Sequence, residues 1–130
     1  MATTDWDMAG TFQDSFPHTF NSLQKLVMAM AKLKKNRGRK TFFGRDKGLE
    51  SLNHFEDTLR DSLQSMILDR AISPLASAEE IREILVEMII AFAQVFPNWQ
   101  DAYSFAEEYF VRDSKEAEAR IAQMRGQRDV

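Results

Sequence analysis

Apolar residues recur at intervals of three and four in four separate stretches of this chain, which is the spacing of one helix face. No stretch alternates apolar and polar residues as a half-buried strand would. Four such stripes bury one another in an all-α, up-and-down helical bundle. The stripes are Phe20, Leu23, Leu26, Val27, Met30 and Leu33; Leu49, Leu52, Phe55, Leu59, Leu63, Met66 and Ile67; Ile81, Ile84, Leu85, Met88, Ile89, Phe92 and Phe96; and Trp99, Ala102, Tyr103, Ala106, Tyr109 and Phe110.

The positions of the prolines divide the chain between these stripes. Pro17, Pro74 and Pro97 each lie where a helical period begins or breaks. A length of 130 residues fits a single helical domain over residues 1–130. Within it we expect an N-terminal segment at 1–16, a basic loop at 36–48 and a frayed tail at 125–130. The N-terminal segment is predicted to hold a short helix that docks the side chains of Trp6, Met8, Phe12 and Phe16 on the bundle.

Two helix boundaries carry local signals. The second stripe is predicted to end near Ser73 and Pro74. Ser77, with Glu80 three residues later, has the form of a capping box and predicts the start of the third helix. That helix, over residues 78–96, is apolar almost all round, so we expect it at the centre of the fold, with or without a surface for self-association.

Charge is distributed unevenly along the chain. Eight of the 17 Lys and Arg residues lie in residues 32–47, opposed only by Asp46, so this basic segment carries about +7. Because the formal net charge of the chain is -3, the remainder carries about -10. An acidic body with a basic segment predicts a partner that is a polyanion or an acidic protein surface.

The basic segment also contains two adjacent aromatic residues, and Arg and aromatic side chains dominate the energies of protein interfaces. We therefore expect a small non-enzymatic helical interaction protein, a bacterial-type regulator, adaptor or inhibitor that docks on a larger protein. In this hypothesis the cations pair with carboxylates of the partner and the two Phe rings anchor the contact. The candidate partner-binding residues are Lys34, Lys35, Arg37, Arg39, Lys40, Phe42, Phe43, Arg45 and Lys47.

Other interpretations of the basic segment remain open. Nucleic-acid binding through phosphate contacts is the second hypothesis, although no recognition motif accompanies the segment and the acidic body would repel a polyanion. A solvated loop with its Phe rings tucked into the core is equally compatible with the pattern. The basic amphipathic stretch of residues 23–35 also resembles helices that lie on anionic membranes, but three other stripes need it as a core partner. Acidic residues of a second copy could receive the segment in a homodimer.

The residue types that carry catalysis and metal binding are scarce. The chain has two His and no Cys, so it lacks thiolate ligands and disulfides, which fits a reducing, cytoplasmic compartment. Glu50, His54, Asp57 and Asp61 follow helical spacing, but a solvated helix face explains them better than a metal site. We expect no catalytic residues, no metal and no cofactor. The longest apolar stretch, residues 88–99, is too short to span a bilayer.

Overall fold

The structure, a computed structural model, describes residues 11–36, 46–95 and 100–128, with side chains described except at 95 and 126–128. After a helical turn over residues 11–15, the helices are α1 (Pro17–Asn36), α2 (Lys47–Leu68), α3 (Ala78–Val95), α4 (Gln100–Ala106), a π-helical segment (Glu107–Arg112) and α5 (Ser114–Arg128). No strand occurs within these ranges. The prediction of an all-α helical bundle is confirmed.

Helices α1 and α2 form an antiparallel hairpin that supplies much of the core. Their predicted stripes are buried, with Leu23, Leu26, Val27 and Met30 of α1 and Phe55, Leu59 and Met66 of α2 wholly inaccessible to solvent. Hydroxyl groups also cross between the two helices. The Ser22 and Ser65 Oγ atoms lie 2.5 Å apart, and the Ser62 Oγ of α2 lies 3.5 Å from the Ser22 carbonyl oxygen of α1. These small side chains let the two backbones approach closely.

The first described residues place two aromatic side chains against the bundle, as predicted. Phe12 and Phe16 are partly buried against the core, and their ring centroids lie 5.8 Å apart in an edge-to-face arrangement. Phe12 also contacts Phe20 at 5.7 Å, and Phe20 contacts Phe92 of α3 at 5.5 Å. Through these ring contacts, the residues before α1 are linked to the C-terminal part of α3. Trp6 and Met8 lie outside the described residues.

The connection between α2 and α3 begins earlier than predicted. Helix α2 ends at Leu68 instead of near Ser73 and Pro74. Asp69 follows it, and Arg70 adopts a positive φ of 60°, a left-handed conformation that reverses the chain after a helix. The Ala71 N–H then donates to the Met66 carbonyl oxygen at 2.8 Å, which closes the helix end. The Asp69 carboxylate at this point accepts from the Thr19 backbone N–H of α1, 50 residues away in sequence.

Of the predicted capping box at the start of α3, the hydrogen bond accepted by the Ser77 hydroxyl is confirmed. The Glu80 backbone N–H donates to Ser77 Oγ at 3.1 Å. One face of α3 enters the core, with Ile81, Leu85, Ile89 and Phe92 almost wholly inaccessible. The apolar residues on its other sides, which were expected either in the centre of the fold or on a surface for self-association, are only partly buried. Val86 and Ile90 line a shallow groove of about 190 Å³ with the half-exposed Tyr103 and Val111.

The fourth predicted helix is divided by the π-helical segment. The Asp113 N–H donates to the Glu108 carbonyl oxygen at 3.0 Å, which is the wider spacing of a π-helix. Arg82 of α3 supports this segment by donating from Nη1 to the Phe110 carbonyl oxygen and from Nε to Glu118, each at 2.8 Å. Helix α5 remains helical past Gly126 to Arg128, beyond the position where fraying was predicted. Among the described helices, none combines the length and the hydrophobicity that a membrane crossing requires.

Candidate partner-binding surface

The basic segment is attached to one end of the α1–α2 hairpin. Asn36, the last residue of α1, donates from Nδ2 to Ser51 Oγ of α2 at 3.0 Å, so the end of one helix is tied to the start of the next. Asp46 caps α2 by accepting from the Leu49 backbone N–H at 3.0 Å. The chain therefore leaves α1 and enters α2 at neighbouring points, and the cations on both helix ends belong to one end of the molecule.

Three of the nine predicted partner-binding residues lie in the described part of the chain. Lys34 and Lys35 are exposed in the last turn of α1, and Lys47 is exposed at the first position of α2. Cations at the C-terminus of a helix are favoured by its dipole, so the two lysines of α1 also stabilise the helix. The other six candidates, Arg37, Arg39, Lys40, Phe42, Phe43 and Arg45, lie outside the described residues.

A shallow cleft of about 410 Å³ lies beside these lysines. Its lining comprises Ala31, Lys32, Lys34, Lys35 and Asp101. Asp101, at the start of α4, is the one carboxylate of this lining, so the three lysine ammonium groups outnumber it. The cleft therefore favours an anionic group of a partner.

A second cavity, of about 390 Å³, lies next to the start of α2. Its walls combine apolar and polar side chains, and they are formed by Leu33, Asp46, Gly48, Leu49, Leu52, Phe105, Tyr109, Glu116 and Arg120. Leu49 was predicted to be part of the buried stripe of α2, but it is 53% exposed because it lies in the first turn, at the edge of the core. Leu49 therefore adds exposed apolar surface near the exposed Lys47.

Tyr109 is the most buried polar residue of this lining. Among the described residues its buried hydroxyl has no hydrogen-bond partner of normal geometry, although the Arg120 guanidinium lies nearby. Burial raises the pKa of Tyr109, the charge of Arg120 opposes the shift, and Glu116 and Glu56 add to it. Arg120 is itself occupied by a salt bridge to Glu56 of α2 and a longer contact of 3.7 Å to Glu116. The arrangement joins α2, the π-helical segment and α5 electrostatically.

The residues considered for a metal site lie on a solvated face of α2. Glu50, His54, Asp57 and Asp61 are all exposed, and Asp57 pairs loosely with Arg60 at 3.4 Å. Within the part of the chain that the structure describes, no three His, Asp or Glu side chains are grouped so that they could hold a metal ion.

The strongest polar contact of the hairpin was not predicted. The Asp69 side chain is only 4% exposed and accepts from the Thr19 backbone N–H at 2.7 Å and from His18 Nδ1 at 2.8 Å. Burial alone would raise the pKa of Asp69, but the hydrogen bonds from Thr19 and His18 and the charge of His18 outweigh it and lower this pKa. The sequence indicates that an acceptor is needed, because a helix that begins at Pro17 has first N–H groups without partners inside the helix. It does not indicate that Asp69 is that acceptor.

Comparisons with known proteins add no constraint on this surface. No protein-family model matches the chain, and neither the curated proteins nor the solved structures yield a match. The function of the chain is therefore inferred from its own residues.

Proposed function

We propose that this chain is a non-enzymatic interaction protein, acting as a regulator, adaptor or inhibitor, which docks on an acidic surface of a larger protein. The basic segment and the helix ends that carry it form the docking surface. The single observation that supports this proposal most directly is the gathering of exposed Lys34, Lys35 and Lys47 at one end of the hairpin, where Asn36 is tied to Ser51.

The charge distribution favours a protein partner over nucleic acid. The body outside the basic segment carries about ten net negative charges, which repel the phosphates of a polyanion. An acidic patch on a folded protein is smaller than a nucleic acid, so it can meet the basic end without approaching the acidic body. Charge complementarity of this kind accelerates association and selects the partner. The exposed Leu49 and the aromatic residues Phe42 and Phe43 of the segment supply the apolar part of the contact.

The proposal is tested with two matched variants of the full chain. The first replaces Lys32, Lys34 and Lys35 with Gln. The second replaces three exposed cations elsewhere with Gln, namely Lys25, Arg112 and Lys115. Both lose three positive charges, and Gln preserves helix propensity, so the variants differ only in where the charge is removed.

Both variants and the parent chain are used to capture proteins from native lysate, with half of each sample treated with nuclease. We expect the parent and the second variant to capture the same protein, the first variant to lose it, and nuclease to have no effect. With the captured protein purified, association should slow several-fold between low and physiological salt for the parent, and less for the first variant. Capture abolished by nuclease would replace the protein partner with nucleic acid. Equal loss in both variants would show that only the net charge matters.

A further inference from the structure

A separate cavity, of about 240 Å³, opens between α2 and α5 at the opposite end of the hairpin from the basic segment. Its lining comprises Arg60, Leu63, Gln64, Ile67, Ile72, Ile81, Met124 and Arg125. Five of these are aliphatic or thioether side chains, contributed by α2, the connection after it, α3 and α5. The cavity is therefore enclosed by four separate segments of the chain.

The apolar walls belong to the core. Leu63, Ile72 and Ile81 are each no more than 5% exposed, yet they border open volume. Protein interiors are close-packed, so apolar walls that border open volume offer a surface against which an apolar group of a ligand can be buried. A cavity of about 150 Å³ lined by similar side chains holds benzene, so 240 Å³ corresponds to roughly eight to ten carbon atoms.

The mouth of the cavity carries positive charge. Arg60 is 42% exposed, and its one ion pair within the described residues is the 3.4 Å contact with Asp57. Arg125 donates from Nη2 to the Pro74 carbonyl oxygen, which anchors the guanidinium at the rim and leaves its other N–H groups available. Gln64 adds an amide group between α2 and the opening. Two guanidinium groups above an aliphatic cavity match a ligand with a carboxylate head and a hydrocarbon tail.

We propose that this cavity binds a medium-chain carboxylate, with the acyl chain against Leu63, Ile72 and Ile81 and the carboxylate between Arg60 and Arg125. The site is independent of the proposed partner-binding surface. Arg60 and Arg125 are the residues that select the anion, and Met124 adapts to the length of the chain because its thioether side chain is flexible.

The test is calorimetric titration of the full chain with hexanoate, octanoate and decanoate, and with octan-1-ol as the uncharged analogue. We expect affinity to rise about fourfold for each added methylene while the chain remains inside the cavity. Octanoate should bind more tightly than octanol, and Arg60→Gln should reduce that advantage about three- to fivefold without affecting octanol. Arg112→Gln, an exposed cation on the π-helical segment, is the matched control.

A second variant fills the cavity. Ile67 is partly buried at the wall, so Ile67→Phe should occupy the volume and abolish binding of all four ligands, whereas Ile90→Phe in the groove on α3 should not. Circular dichroism and the thermal midpoint establish that each variant is folded. Unchanged decanoate affinity in folded Ile67→Phe, or no binding of decanoate to the parent chain, would overturn the site. Equal affinities for octanol and octanoate would overturn its selectivity for an anion.

Discussion

Replacing Asp69 with Asn isolates the contact that joins the end of α2 to the start of α1. The carboxylate is 4% exposed and accepts hydrogen bonds at 2.7 and 2.8 Å. Asn has nearly the same shape but offers one acceptor oxygen, so one of the two donors loses its partner and the other loses its charged acceptor. Hydrogen bonds to a charged group contribute about 1.5–3 kcal/mol each. We expect Asp69→Asn to lower the free energy of unfolding by about 2 kcal/mol.

The expected change in thermal midpoint follows from the length of the chain. Unfolding entropy is about 2.1 cal/mol/K per residue, or about 0.27 kcal/mol/K for 130 residues. A loss of about 2 kcal/mol therefore lowers the Tm by about 7 °C. Asp61→Asn, an exposed carboxylate on the same helix, should leave the Tm within about 2 °C of the parent.

The difference between parent and Asp69→Asn should also depend on pH. Because the pKa of Asp69 is lowered in the folded state, the carboxylate stabilises the fold fully above its ordinary pKa of about 3.9. This contribution is lost as the pH falls through the lowered pKa, where the parent carboxyl becomes neutral. Thermal unfolding followed by circular dichroism from pH 7 down to pH 3 measures the difference in Tm. A difference that is absent at pH 7, or that stays constant down to acidic pH, would refute the reasoning.

Two further substitutions test other buried polar groups. Arg82 is 15% exposed and bonds to Glu118 and to the Phe110 carbonyl, so Arg82→Met should cost about 2–3 kcal/mol in urea unfolding, and Arg82→Lys, which cannot make both bonds, should lie between Met and the parent. A Met variant as stable as the parent would contradict this. Tyr109→Phe removes a buried hydroxyl that has no hydrogen-bond partner of normal geometry in the described part of the chain, and it should stabilise the fold by about 1 kcal/mol. Because the pKa of Tyr109 is raised on folding, the parent should also lose stability relative to Tyr109→Phe as the pH rises above about 10. A destabilised Phe variant would show that the hydroxyl has a role in the fold.

The sequence predicted the elements of this fold that depend on local pattern. The apolar stripe of α1 and, apart from the exposed Leu49 in the first turn, that of α2 face the core as their spacing indicates, and Ser77 caps α3 as its capping box indicates. Both features are encoded within a few residues of where they act. They required no knowledge of which helices are neighbours.

The features that were missed depend on contacts between distant residues. Helix α2 ends at Leu68, next to the contact of Asp69 with Thr19, and no signal near Leu68 reveals that partner. The π-helical segment is supported by Arg82, which lies 28 residues from Phe110. Lys34, Lys35 and Lys47 were identified from charge alone. The Asn36–Ser51 contact shows in addition that they lie at the same end of the hairpin. The role of these lysines in binding stays a prediction.

The hydroxyl groups between α1 and α2 have a consequence for how the two helices align. Their leucine, valine and methionine side chains are similar in size, so a shift of one helical turn, about 5.4 Å, would still bury apolar surface. Such a shift would separate Ser22 from Ser65 and place a hydroxyl against aliphatic carbon without a partner. The serines therefore contribute little to the strength of the hairpin and much to its register. Replacing them with alanine would leave the register to the contacts at the two ends of the hairpin, Asp69 with Thr19 and Asn36 with Ser51.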